Sequence, residues 1–157
     1  MLDLDALGAA VEAYGKVARI VLVQVKGSAP RTAGTSMLVW ESGSSGTIGG
    51  GQLEWQCMRE AHVMLSNNTL TKQRHAALGP QLNQCCGGAV SVVTEVFDTK
   101  RFSSISHEYA GVWVRPVDFN PQDMPDTLKR KLARAENSKT PLPLIYRNGW
   151  LELGWRR

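Results

Sequence analysis

Cysteine is scarce in this chain: there are three among 157 residues, and two of those are adjacent. That is a poor disulfide framework and points to an intracellular protein with free thiols. Long apolar runs are missing as well, none approaching the roughly 18 residues that a bilayer crossing needs. The amino terminus, Met1-Leu2-Asp3-Leu4-Asp5, is acidic where a secretory signal would be basic. A cytoplasmic location without membrane contact is therefore expected. Charge of one sign is also modest, with 18 Lys and Arg against 14 Asp and Glu leaving a net +4. This suits an anionic ligand but is too small for a nucleic-acid surface. The densest basic cluster, Lys129-Arg130-Lys131 with Arg134, is broken by Leu128 and Leu132 and reads as a solvated helix face. There is no internal repeat and no low-complexity segment.

What is present suffices for one domain with a real core, since 43% of the residues are apolar and only 20% are charged. Leu4, Leu7, Val11 and Tyr14 fall at helical spacing, with Asp3 or Asp5 as a cap. Ile20-Val21-Leu22-Val23 is continuously apolar and predicts a central strand covered on both faces. Gly27-Ser28-Ala29-Pro30-Arg31 reads as a loop, because the residue before proline disfavours helix. Ser36 to Trp40 predicts a strand, Glu41 to Gly46 its polar turn, and Thr47-Ile48 a returning strand. Leu53, Cys57, Ala61, Met64 and Leu65 then mark a helix that begins at three glycines. Valine-rich Ala89 to Phe97 is a strand, and Val112 to Val117 another. Pro125, followed by Leu128, Leu132 and Ala135, opens a last helix. Asn148-Gly149 between Leu144-Ile145-Tyr146 and Trp150 to Leu153 signals a hairpin. The fold class is α/β, or α+β given the hairpins: a single domain over 1–157 with a mixed sheet and flanking helices.

Two glycine-rich elements carry the chemistry. Thr47-Ile48-Gly49-Gly50-Gly51 sits between a strand and a helix, where glycine lets the backbone approach a ligand and helix-start amides attract anions. The functional reading is a phosphate cradle; the bland one is a tight turn needing positive φ. Known nucleotide patterns fail, because Glu54 stands where a dinucleotide fingerprint needs a small residue and no Gly-Lys-Ser/Thr follows. The second element, Gln84-Cys85-Cys86-Gly87-Gly88, places adjacent thiols on a flexible backbone just before a strand. Backbone amides turned by glycine can stabilise a thiolate there. A ligand for a metal cofactor, a nucleophile and a redox pair all fit, as do two small buried residues under a loop. A structural zinc site and a thioredoxin-type motif do not fit: there is no Cys-x-x-Cys, and His62, His75 and His107 are scattered. Each of these histidines reads as a surface or core residue, although His75 or His107 remains open as a base for a catalytic cysteine. Cys57 lies on an apolar stripe and reads as core. In the Gly27–Arg31 loop, Arg31 is suited to pair with phosphate and Ser28 to donate a hydrogen bond; a plain surface loop is the alternative.

In order along the chain, Gly27-Ser28-Ala29-Pro30-Arg31, Gly34, Met37-Leu38-Val39, Gly46-Thr47-Ile48-Gly49-Gly50-Gly51 with Leu53-Glu54, Gly79-Pro80 and Gln84-Cys85-Cys86-Gly87-Gly88 resemble the XdhC/CoxI family. The likeness spans roughly residues 16 to 97 and keeps the order of three separated motifs. Its members are xanthine dehydrogenase accessory proteins and related maturation factors of molybdenum hydroxylases. The resemblance implies a non-enzymatic chaperone that binds molybdenum cofactor (molybdopterin), protects it during sulfuration and passes it to the apo-hydroxylase. It implies a molybdenum hydroxylase of the xanthine dehydrogenase type and a sulfurtransferase as partners, with a homodimer possible. By position, the family's cofactor-holding cysteine motif maps onto Cys85 and Cys86, which would meet the cofactor's molybdenum. Gln84, Gly87, Gly88, Gly49, Gly50, Gly51, Ser28 and Arg31 complete the expected cofactor-binding set. Many members continue into a Rossmann-like domain, which is not found before Arg157. The alternative expectation is a small cysteine-dependent enzyme or thiol-redox protein acting on a phosphorylated substrate.

Overall fold

The apolar run at Ile20–Val23 lies inside a longer strand, β1 (Lys16–Lys26), whose residues 17–23 are all buried. It occurs in a computed structural model that describes residues 4–79, 87–105, 112–116, 130, 145–147 and 150–154. α1 (Leu4–Tyr14) precedes β1, and β2 (Ser36–Trp40), β3 (Gly43–Gly46) and α2 (Gly51–Asn67) follow it. Next come β4 (Thr71–Ala77), β5 (Ala89–Asp98) and α3 (Thr99–Ile105). β6 (Val112–Pro116), β7 (Ile145–Arg147) and β8 (Trp150–Gly154) form a separate three-stranded sheet in the order β6-β8-β7. The larger sheet has the order β3-β2-β1-β5-β4, so β1 is central as its composition requires. Every described pairing is antiparallel, and the α+β form of the expected class is the one adopted.

Strand alternation sends the side chains of β1 and β5 to two opposite layers. On one face Ala18, Ile20, Leu22, Val90, Val92 and Val96 meet Leu53, Cys57, Ala61 and Met64 of α2. On the other, Val17, Val21, Val23, Val93 and Phe97 meet Leu7, Ala10 and Val11 of α1. Each fully buried aliphatic contributes about 1.5–3 kcal/mol, so these two layers dominate the stability of the fold. Tyr14 stays half exposed and stacks flat on Trp40, with ring centroids 4.2 Å apart. The expected hairpin at Asn148-Gly149 is matched by the pairing of Arg147 with Trp150.

One expectation needs adjustment, and two elements carry no signal in the sequence. Thr47-Ile48 is not a strand; the returning strand is Gly43–Gly46, and the turn before it is only two residues long. β4 carries no apolar alternation because, among the described strands, it is an edge and most of its residues meet water. α3 follows β5 without a break, and Asp98 accepts a 2.7 Å bond from the Arg101 amide at its start. The helix expected from Pro125 and the basic cluster around it lie outside the described residues, Arg130 excepted.

One pair in the sheet is not apolar. Arg19 and Glu95 face each other across the β1–β5 ladder, and both are fully buried. Arg19 Nη1 lies 3.9 Å from Glu95 Oε2, and Arg101 Nη2 lies 3.6 Å from Glu95 Oε1. Burial pulls the Arg19 guanidinium down to about 9, and none of its nitrogens has a hydrogen-bond partner among the described residues. Arg101 also donates to the Leu70 and Val96 carbonyls and to Thr71, tying α3 to the β4 edge. Removing one member of such a pair strands a buried charge. In urea unfolding, Arg19→Ala or Glu95→Ala alone is expected to cost about 3–5 kcal/mol. The double variant Arg19→Met/Glu95→Leu is expected to lose much less than the sum of the two; an additive double variant would show that the pair is not coupled.

Candidate functional site

The register of β1 on β5 decides where the motifs meet. Lys26 pairs with Ala89, so the loop leaving β1 runs beside the chain entering β5. A Cβ added to Gly88 would lie 2.2 Å from the Ser28 carbonyl oxygen and 2.6 Å from that of Lys26. Gly88 is therefore required by backbone crowding against the Gly27–Arg31 loop. Its own carbonyl accepts a 2.7 Å bond from the Leu78 amide. On the other side of the same loop, a Cβ on Gly49 would reach 2.9 Å from Pro30 Cγ and 3.4 Å from Arg31 Cγ. The loop is thus wedged between the two glycine elements, with Ser28 and Arg31 exposed on it. Gly87 is exposed beside Gly88; Gln84, Cys85 and Cys86 lie outside the described residues.

Gly50 differs from its neighbours. Its φ of 74° and ψ of −169° belong to a region essentially open only to glycine, and among the described residues no atom lies within 4 Å of where a Cβ would be. It is the N-cap of α2 and has no side chain to cap with. Glu54, one turn in, does that work instead. A single oxygen, Oε2, accepts from the Thr47 hydroxyl at 2.5 Å, the Ile48 amide at 2.8 Å and the Gly50 amide at 3.0 Å. The Gly49 amide donates to Thr47 Oγ1 at 3.0 Å. Burial opposes the charge on Glu54. Bonds from Thr47 and from the Gly50, Ile48 and Gly49 amides outweigh it and hold the carboxyl below its usual range. The amides expected to stand free for an anion are thus engaged at positions 48, 49 and 50. Sequence reasoning noted Glu54 only as the wrong residue for a nucleotide fingerprint. The available signal was an acidic first-turn residue behind a glycine cap.

The remaining expected residues separate cleanly. Cys57 is buried in the α2 layer, and burial pushes its thiol up to about 11, which makes it a packing residue and not a nucleophile. His62 is exposed on α2, and His75 sits on β4, bonded to Ser91 and Gln73; His107 lies outside the described residues. Among the described residues no three His, Cys, Asp or Glu side chains cluster as metal ligands. None of the described helices is long and apolar enough to cross a membrane.

Two outcomes follow from this geometry. Glu54→Ala removes the cap of α2 and is expected to cost about 0.5–2 kcal/mol by chemical denaturation. Because the folded carboxyl titrates below its unfolded value, its stabilisation is complete above the unfolded pKa. That contribution disappears as pH falls through the lower folded value, and Glu54→Gln is expected to flatten this acid limb. Gly88→Ala forces a Cβ into the Ser28 and Lys26 carbonyls and is expected to cost about 1–3 kcal/mol. A variant as stable as the parent would mean that the two loops are not in contact.

No curated protein matches the chain by sequence. A crystal structure described as a xanthine dehydrogenase from Bacillus halodurans shares the fold, with a TM-score of 0.62 at 23% identity. The alignment covers 76% of this chain and 39% of that one, so this chain spans about two fifths of that protein's length. Residues 10–75 match the model described as the XdhC and CoxI family, a stretch that takes in the Gly27–Arg31 loop, the Gly46–Gly51 turn and Glu54. The resemblance read from the ordered motifs is thereby borne out, and residues 10–75 of this chain carry the XdhC and CoxI family pattern.

Proposed function

We propose that this chain binds molybdenum cofactor and assists its sulfuration and insertion into a molybdenum hydroxylase such as xanthine dehydrogenase. The observation carrying this reading is the convergence of two glycine-rich segments, at Gly49 and Gly88, on the Gly27–Arg31 loop, within a fold and a family pattern both tied to the xanthine dehydrogenase system. The protein acts as an accessory factor in the cytoplasm, with the hydroxylase and a sulfurtransferase as partners, and as a homodimer where two copies are needed. Its task is to hold, shield and release, which asks for positioned contacts and no general base.

The residues fit the cofactor unevenly. The cofactor supplies a phosphate at one end and a dithiolene-bound molybdenum at the other. Cys85 and Cys86 are the soft partners for the metal end, with Gln84 and the flexible Gly87 beside them. For the phosphate, the start of α2 is a poor seat, because the Glu54 carboxylate already sits there, accepting from the Ile48 and Gly50 amides just ahead of the helix. Two like charges about 4 Å apart repel by about 4 kcal/mol at an effective dielectric near 20, more than one helix start returns. Arg31 and Ser28, exposed on the central loop, take the phosphate instead. Gly49 and Gly51 flank the open space at Gly50, where the backbone lets a ligand approach closely. The second reading, a small cysteine-dependent enzyme or thiol-redox protein, rests on Cys85 or Cys86 and gains nothing from Cys57, whose thiol is buried.

The test is cofactor retention. Protein purified under reducing conditions is expected to release pterin, read as its fluorescent oxidation product. Cys85→Ala/Cys86→Ala is expected to lose most of that signal while keeping its circular dichroism spectrum. Arg31→Ala is expected to weaken retention about tenfold, the scale of one hydrogen bond to a charged group. Full retention by the double cysteine variant would remove those thiols from the reading.

A further inference from the structure

Among the described residues, α1 covers the sheet face opposite α2 over the part that carries Val17, Val21, Val93 and Phe97, with Phe102 of α3 beside it. Towards the Lys26–Ala89 end, that face changes character. Gln24 pairs with Ser91 and Ser91 with His75, while Lys26 pairs with Ala89 and Ala89 with Ala77. These six residues border a basin of about 220 Å³. Its floor is two alanines in register, flat and apolar; its walls are an imidazole, a hydroxyl, an amide and an ammonium.

Two features distinguish the basin from an ordinary solvated strand face. The first is a register shift between Leu22 and Gln24. Leu22 belongs to the α2 layer, and strict alternation would carry residue 24 onto that same apolar face. The bulge sets Gln24 opposite Ser91 instead, on the basin side. The second is a chain of polar bonds. Ser91, only 4% exposed, donates to Gln24 Oε1 at 3.4 Å and lies 2.8 Å from His75 Nδ1. Gln73 Nε2 lies 3.2 Å from His75 Nε2. With the serine proton directed to Gln24, Nδ1–H donates to Ser91 and Nε2 accepts from Gln73, so every bond in the chain has a donor and an acceptor. The amide, hydroxyl and imidazole walls are held in place before any ligand arrives, which lowers the ordering cost of binding.

The basin is continuous with the motif cluster. Its Lys26–Ala89 end adjoins the crossing where a Cβ on Gly27 would meet Gly88 Cα at 3.2 Å. A volume below the 300–1,000 Å³ of a drug-sized site takes a fragment of one or two rings. A flat floor, a hydrogen-bonding rim and one cation together select a flat heterocycle with polar edges and an anionic substituent. We propose that this basin seats the fused-ring pterin end of the cofactor, with Gln24, Ser91 and His75 along its polar edge and Lys26 beside its anionic side. This assignment rests on the cofactor reading above and locates the ring, which that reading left unplaced.

The probe is pterin-6-carboxylate, which carries the ring and one anionic group but no phosphate, dithiolene or metal. Its fluorescence is expected to change saturably on titration with the intact protein. Ala77→Phe, at an exposed floor position, and Gln24→Leu are each expected to weaken binding tenfold or more without lowering the melting temperature. Val63→Ser, on the exposed side of α2, is expected to leave it unchanged. Wild-type affinity in both Ala77→Phe and Gln24→Leu would overturn the basin. So would failure of the wild type to bind the probe while it still purifies with the complete cofactor, an outcome that leaves the cofactor reading intact. Failure to retain either the ring or the complete cofactor would remove both.

Discussion

Ten rungs join β1 to β5, from Lys16–Asp98 at one end to Lys26–Ala89 at the other, and both strands are buried over most of their length. Because the pair is antiparallel, the chain leaves β1 at the point where it later enters β5. Two segments about 60 residues apart in sequence must therefore run side by side, however long the intervening excursion. The crowding of Gly88 against Ser28 is the local consequence. α2 follows from the same constraint: it starts beside Pro30 and ends where Asn68 accepts a 2.5 Å bond from Lys16 Nζ. It thus carries the chain from the glycine end back to the far end, from which β4 returns along β5.

Two carboxylates, treated in opposite ways, show what the protein does with charge. Glu95 is fully buried, with cations 3.6 Å and 3.9 Å away, an arrangement that stabilises little but penalises any rearrangement of the sheet. Glu54 is partly exposed and gathers one hydroxyl and two amides on a single oxygen. Its effect is to make the turn before α2 self-sufficient. A glycine-rich helix start is normally an invitation to an anion, and here the protein has supplied that anion itself. The positive charge available to a ligand is consequently moved to side chains on the neighbouring loop and strand, Arg31 and Lys26, both exposed.

Patterned burial is what made the fold legible. The apolar run at Ile20–Val23, the stripe from Leu53 to Met64 and the valines of β5 all identified their elements correctly, because each is one side of a two-sided layer. β4 escaped because Thr71 to Ala77 pairs through its backbone while its side chains stay largely wet, which leaves no periodic signal. The strand assigned to Thr47-Ile48 was displaced to Gly43–Gly46 because the real hairpin uses small polar residues with no β preference. For the site, residue types and their order pointed to a family, but no rule of composition says that three glycine segments touch. That depends on register. Nor could it show that Glu54 engages the amides of the turn before α2, or that a bulge at Leu22/Gln24 redirects a glutamine.

The two ends of the β1–β5 pair are built for different purposes, and the division explains where a ligand can go. At the Lys16–Asp98 end, Tyr14 stacks on Trp40, α1 covers Val17 and Phe97, and Arg101 ties three segments together. Large side chains and buried charge make that end costly to open. At the Lys26–Ala89 end the side chains shrink to alanine and glycine, and the polar groups face outward along a shallow basin. A site needs room and backbone proximity, which large core residues would remove. Concentrating bulk at one end leaves the other free to be small without lowering stability below what folding requires. Binding at the small end then disturbs few core contacts. That division of labour is what the proposed role, taking up a cofactor and later giving it away with the fold unchanged, would require.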